Sequence, residues 1–296
     1  MATCCIPWHA DGSFAENIFR RQVRHILKNL TRHVYVFGTA GEGHAVSDAQ
    51  FDEIIRVFRE ETRQPGDHGM VGIISLSLPT IIARIAKARD LGFRQFQISL
   101  PSWGALSNGE LARFFQETCG RFPDCRFLHY NLMRTKRLVT PDEYAVLAKR
   151  HPNLVATKNS TDSTDRILQL ISKSPQLQHF ITEAGFPNAC LVGECGFLVS
   201  IASVHFGLAR KFFEAGRKRN LSALFKMQQE VRRLTFDMLT LCGGDHFIDS
   251  AYDKLYCKMH DPEFPLRLLP PYQGFDDAVF RKLVKLIAQK YPRWSS

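Results

Sequence analysis

Apolar and polar positions fall into two alternating patterns along this chain. Short apolar runs, bounded by turn residues, recur at 3–6, 33–37, 70–74, 96–99, 126–130, 154–157, 177–182 and 197–201. Their length and content predict buried strands. Between most of them the apolar positions space out to a helical period, as at Phe19, Val23, Ile26, Leu27 and Leu30. Helix starts are signposted. Ser47-x-x-Gln50 and Ser107-x-x-Glu110 are capping boxes, and Thr140-Pro141-Asp142-Glu143 adds a proline at the first helical position. Pro79 can open one helix, and Gly92 can close it after Leu91. From about Arg210 onward the pattern reads as helix only, chiefly 221–241 and 276–289.

Strands that alternate with helices pair in parallel. The step from strand to strand is about 25–30 residues, the size of one βαβ unit. Eight such steps predict an α/β fold of the (β/α)8 barrel type over residues 1–209, with a C-terminal helical region, 210–296, packed on it. A doubly wound sheet is the rival. It would normally carry a glycine-rich dinucleotide turn after its first strand. The glycine-rich stretch here, Gly38-Thr39-Ala40-Gly41-Glu42-Gly43, has neither GxGxxG spacing nor the GK[ST] of a P-loop. That leaves a nicotinamide oxidoreductase without its main signal.

With 296 residues, 45% of them hydrophobic, the chain can bury a large core. A net charge of +10 favours anionic metabolites as partners. The basic residues are scattered, as in Arg20-Arg21 and Arg217-Lys218-Arg219, and no basic stripe interleaves with aromatics. The sequence therefore offers nothing for nucleic-acid binding. The eight cysteines form no CxxC pair and no zinc spacing. No secretory leader and no membrane-length apolar run is present. The expectation is a cytoplasmic protein with reduced thiols.

Lys158 carries the chemistry. It ends the run Leu154-Val155-Ala156-Thr157, and Tyr130 ends the preceding run in the same way. A lysine at a strand end can simply reach for water, and a strand tyrosine can be a core residue. In a barrel, however, reactive groups come from the carboxyl ends of strands. There the reading places the turn 38–42, the segment Pro101-Ser102-Trp103, Tyr130 and Lys158. An amine beside a phenol suits Schiff-base chemistry on a carbonyl. Glu42 reads as a structural carboxylate, His129 as facing a helix opposite Tyr130, and Cys190 and Cys195 as small apolar fillers.

On these residues the chain resembles the dihydrodipicolinate synthase / N-acetylneuraminate lyase superfamily of class I aldolases. The matching motifs are GTAGE at 38–42, Tyr130-Asn131, Lys158 with Asn159-Ser160, Gly193-Glu194-Cys195-Gly196 running into Val199-Ser200, and Asp11-Gly12. The resemblance implies that Lys158 forms an imine with pyruvate or a related 2-oxo acid, that Tyr130 shuttles protons and that Thr39 relays them. It implies that the backbone of Thr39, Ala40 and Gly41 holds the substrate carboxylate. Trp103, Arg134 and Val199 are the further candidates for substrate contact. An aldehyde is the second partner, no metal or organic cofactor is required, and a homo-oligomer, a dimer of dimers, is expected.

Three departures bear on the substrate. Ala40 replaces a second hydroxyl residue, Trp103 stands where synthases place a relay tyrosine, and Asn159 replaces a frequent acid. A tryptophan there looks more like some hydratase-aldolases of aromatic degradation. Arg134 lies one place nearer the tyrosine than the carboxylate-gripping arginine of synthases, and Lys136 and Arg137 are alternatives. Two other readings stay open: a true dihydrodipicolinate synthase, and a barrel that binds 2-oxo acids without turning them over.

Overall fold

The computed structural model describes residues 1–295. Eight strands lie in one sheet in chain order. They are β1 (Ala2–Thr3), β2 (His33–Val36), β3 (His68–Ile73), β4 (Gln95–Ile98), β5 (Arg126–Asn131), β6 (Leu154–Asn159), β7 (Gln178–Thr182) and β8 (Gly196–Leu198). The helices are α1 (Glu16–Asn29), α2 (Asp48–Glu61), α3 (Leu78–Asp90), α4 (Asn108–Phe115), α5 (Pro141–Arg150), α6 (Thr164–Lys173), α7 (Phe186–Val192), α8 (Phe206–Arg217), α9 (Leu221–Leu241), α10 (Asp249–His260) and α11 (Asp277–Lys290). The sequential strand order, with helices between strands, is that of a (β/α)8 barrel followed by helices.

Two compact units make up the chain: Met1–Asp67 together with the residues from Val199 onward, and His68–Leu198. In the first unit β1 pairs with β2 in parallel, and Ala2 forms a parallel bridge with Val199. Helix α1 turns Phe19, Val23 and Ile26 inward, where Phe19 meets the rings of Phe14 and Phe58. The capping box of Ser47 and Gln50 starts α2. Helix α10 is buried over seven consecutive residues from Ser250 to Tyr256, charged Asp253 and Lys254 included. That explains its weak sequence signal, since a helix enclosed on all sides has no polar stripe.

In the second unit β3 to β8 pair in parallel, each with the next. The capping boxes at Ser107 and Thr140 open α4 and α5. The strands differ from expectation mainly at their ends. β1 covers 2–3 rather than 3–6, although Cys4 N still donates to Tyr35 O at 2.7 Å. Pro7 then lacks the N–H that a longer strand would use. β8 stops at Leu198 because Ser200, at φ −128° and ψ −99°, leaves the extended region and Ile201–Val204 form a 3-10 turn. β6 runs on through Asn159, because Lys158 and Asn159 continue to pair with Tyr130 and Asn131. Past Arg217 the described residues hold helices and no strand, as expected, with 221–241 matching α9. The expected boundary at 209/210 falls inside α8.

Candidate active site

Lys158 and Tyr130 are register partners on neighbouring strands, each almost fully buried. Lys158 Nζ stands 3.7 Å from the centre of the Tyr130 ring. Of the expected catalytic residues, these two are brought into contact.

The neighbouring positions point away and are filled by a separate network. His129 Nδ1 lies 2.6 Å from Tyr144 Oη on α5, so it faces a helix as expected. Burial pushes its pKa down to about 3. Thr157 Oγ1 lies 2.7 Å from His179 Nδ1, and Asn159 Nδ2 donates to Thr157 Oγ1 at 2.8 Å. Asn131 Nδ2 donates to Asn159 Oδ1 at 3.1 Å and to Val139 O at 2.9 Å, while Val139 N donates to Asn131 Oδ1. This pair of amides ties β5 to β6 immediately after the phenol and the amine, and clips the 132–139 loop back. Neither asparagine had been given a role from sequence. The signal was present in the repeated pattern of a reactive residue followed by Asn, at 130–131 and 158–159.

The turn after β2 is built on backbone crowding. Phe37 takes a left-handed φ of 62°, and Glu42 one of 53°. A Cβ on Gly41 would lie 2.7 Å from Phe37 N and 3.0 Å from Cys4 O. Only glycine allows the turn to fold this closely over Phe37. Glu42 N donates to Thr39 O, and Gly43 N to Gly38 O. Among the described residues, the N–H groups of Thr39, Ala40 and Gly41 donate to no protein acceptor. The Thr39 side chain is buried. Ala40 packs its methyl against Cys5 and Phe264, so its backbone is the part left for a ligand.

Glu42 is structural, as its position implied. Its carboxylate accepts from Trp8 Nε1 at 2.9 Å and from Leu269 N at 2.7 Å, and pairs with Lys254 Nζ at 2.6 Å. Burial lowers the Lys254 pKa, and Glu42 opposes that shift. Lys254 is a partner the sequence did not disclose, because it sits 212 residues away in a helix with no polar stripe.

Trp103 follows β4 and is 84% exposed, with its carbonyl accepting from Lys136 Nζ at 2.7 Å. Arg134 is exposed, in the 3-10 turn Met133–Thr135 whose Thr135 is buried. Arg137 is committed to the fold through Leu106 O, Asn108 Oδ1 and Glu143. Val199 is buried and donates its N–H to Met1 O. Cys190 and Cys195 have their sulfurs 3.9 Å apart, and Cys195 packs beside Ile167, Ile181 and Ala189. The neighbouring Cys190 thiol and burial both push the Cys195 thiol up, which suits a filler and not a nucleophile. Among the described residues no group of three or more His, Cys, Asp or Glu side chains is arranged to hold a metal. None of the described helices is long and apolar enough to cross a membrane.

Comparison with known proteins gives one consistent result. The model of the dihydrodipicolinate synthetase family matches residues 1–243. A 4-hydroxy-tetrahydrodipicolinate synthase of Thermosynechococcus vestitus is 29% identical over 211 residues, which is 68% of each chain. Among solved structures, a prophage protein of the dihydrodipicolinic acid synthase family from E. coli K12, crystallised with pyruvate, superposes with a TM-score of 0.85 at 16% identity, covering 97% of each chain. A catalytic lysine mutant of the Ruminococcus gnavus sialic acid aldolase gives 0.86 at 14% identity, covering 99% of this chain and 96% of that one.

Proposed function

Because the chain belongs to the dihydrodipicolinate synthetase family, we propose that Lys158 is its Schiff-base residue and that pyruvate or a close 2-oxo acid is its donor substrate. Membership makes the chain an enzyme, a lyase of the class I aldolase type. The observation that carries the assignment of residues is the buried Lys158 amine 3.7 Å from the Tyr130 ring.

In this reading the neutral amine attacks the 2-oxo carbon, and the carbinolamine loses water to leave an iminium. The iminium draws electrons from the adjacent carbon, which releases a proton and becomes an enamine. The enamine then adds to the carbonyl carbon of an aldehyde, or forms in the reverse sense when that bond breaks. Hydrolysis of the final imine returns the amine. Tyr130 carries protons to and from the reacting atoms, with Thr39 as its relay. The N–H groups of Thr39, Ala40 and Gly41 receive the carboxylate, as converging amides do for anions. Trp103, Arg134 and Val199 complete the proposed substrate contacts, with the arginine suited to a second carboxylate.

Synthesis of 4-hydroxy-tetrahydrodipicolinate is the second reading, favoured by the T. vestitus relative. Ala40 and Trp103 weigh against it, since neither supplies a hydroxyl. The proposal includes a barrel of residues 1–209 with a helical region 210–296, a homo-oligomer built as a dimer of dimers, and a cytoplasmic location. The eight cysteines, none of them in a disulfide among the described residues, suit a reducing compartment.

The test is exchange of the pyruvate methyl protons in D2O, followed by NMR. Enamine formation exchanges them without any acceptor. Wild type is expected to catalyse the exchange and Tyr130→Phe to slow it about 10²-fold or more. Unchanged exchange in Tyr130→Phe removes the phenol from the proton path.

A further inference from the structure

A cavity of about 340 Å³ lies within the first unit, bounded by β1, α1, the start of α8 and α10. Ile26, Leu30, Phe206 and Phe264 give it apolar walls. Two of the eight cysteines, Cys5 and Cys257, also line it. Cys5 follows β1 and is fully buried, while Cys257, on α10, is half-buried. A reagent entering the cavity reaches Cys257 before Cys5.

The two thiols are in hydrogen-bond contact and pack together with Ala40 and Phe264. That bond, and then burial, push the Cys5 thiol up, so Cys5 keeps its hydrogen and donates it to Cys257. Gln22 Nε2 donates to the same sulfur at 2.9 Å. The Lys254 ammonium, one turn back along α10, interacts with both sulfurs, and Asp253 opposes it at Cys5. Two donors therefore converge on the Cys257 sulfur beside a cation, the surroundings in which a cysteine acts as a nucleophile. Cys5 stands in contact as the thiol that can close a disulfide.

Both supports of the turn at 38–43 meet at this pair. Cys5 directly follows Cys4, whose carbonyl backs Gly41 so closely that an added Cβ would stand 3.0 Å from it. Lys254, three residues before Cys257, holds Glu42. A bond between the two sulfurs joins these supports covalently.

We propose that Cys257 and Cys5 form a reversible thiol–disulfide site for a hydroperoxide entering this cavity, and that the disulfide restrains the turn at 38–43. The Cys257 sulfur attacks one peroxide oxygen, and the O–O bond breaks. Cys257 becomes a sulfenic acid, and the other oxygen leaves with the thiol proton as an alcohol or water. The Cys5 sulfur then attacks Cys257. The S–S bond forms, the S–O bond breaks, and hydroxide leaves with the Cys5 proton as water. The two thiols lose two electrons, and the hydroperoxide gains them. A dithiol reductant reverses the bond by exchange. Neither half depends on the reaction proposed above.

The experiment treats the reduced full chain with hydrogen peroxide, with and without dimedone, and reads the peptides by mass spectrometry. The expected product is a disulfide between Cys5 and Cys257, formed at least about tenfold faster than any other cysteine is oxidised and reversed by dithiothreitol. In Cys5→Ser dimedone should label Cys257, whereas in Cys257→Ser it should leave Cys5 unlabelled. Gln22→Leu keeps both thiols and should slow disulfide formation about tenfold, the loss of one charge-assisted contact. No Cys5–Cys257 disulfide, an equal rate at another cysteine, labelling of Cys5 in Cys257→Ser, or an unchanged rate in Gln22→Leu overturns the site. Hydrogen exchange of the peptide spanning 38–43 should slow on oxidation, recover with dithiothreitol, and stay unchanged in treated Cys257→Ser. A disulfide with unchanged exchange at 38–43 overturns the restraint.

Discussion

Asn131 donates its side-chain amide to Asn159 at 3.1 Å, one residue beyond the paired Tyr130 and Lys158. The bond fixes the ends of two strands at the place where the phenol and the amine must keep their spacing. Asn131 also returns two bonds to Val139. Asn131→Ala leaves Val139 N without a partner, at about 1–3 kcal/mol if it stays buried, while Val139 O keeps the bond from Arg166 Nη2. The expected outcome is a lower melting temperature together with a lower kcat. Asn131→Asp keeps an acceptor for Val139 N but sets a buried carboxylate oxygen against Val139 O and Asn159 Oδ1, so it should not restore the stability, as thermal melts and steady-state rates can show.

Glu42 and Lys254 form a fully buried pair. Removing one partner leaves the other charge without compensation, which costs about 3–5 kcal/mol. Lys254→Met and Glu42→Gln are each expected to destabilise strongly in urea titrations. The double variant should lose less than the sum of the two, and simple additivity contradicts the pairing.

Gly41→Ala tests the crowding of the turn. Its new Cβ would fall 2.7 Å from Phe37 N, so the turn must open. Affinity for a 2-oxo acid should fall while circular dichroism stays that of the wild type. Unchanged affinity removes this turn from the substrate.

His129 sets an acid limit. Its folded pKa, pushed down by burial to about 3, lies below the ordinary value of 6.5. Between those values the unfolded chain binds more protons, so stability is full above about pH 6.5 and falls as the pH drops toward 3. The slope from this one group is at most about 1.4 kcal/mol per pH unit. His129→Gln should flatten that dependence in unfolding measured from pH 7 to 4, whatever it does to stability at neutral pH.

The barrel was legible because strand runs and helix caps repeat at a steady step, and Lys158 and Tyr130 were legible because strand ends are where a barrel keeps its chemistry. Local sequence shows less where long-range packing decides. Lys254 looks like any helical lysine until α10 is seen to be buried all round. Arg137 looked as available to a substrate as Arg134 or Lys136, but Glu143 and the 106–108 segment occupy it. Trp103 was expected at the substrate, yet in the single chain its side chain is largely exposed. The strand ends were misread where pairing with a neighbour, as at Asn159, outruns the apolar pattern.

The most direct measurement of the central claim is borohydride reduction in the presence of pyruvate, followed by peptide mass spectrometry. The expected result is one reduced adduct, on the peptide carrying Lys158, and none in Lys158→Arg. An adduct on a different lysine, or no adduct with any 2-oxo acid in folded protein, contradicts it.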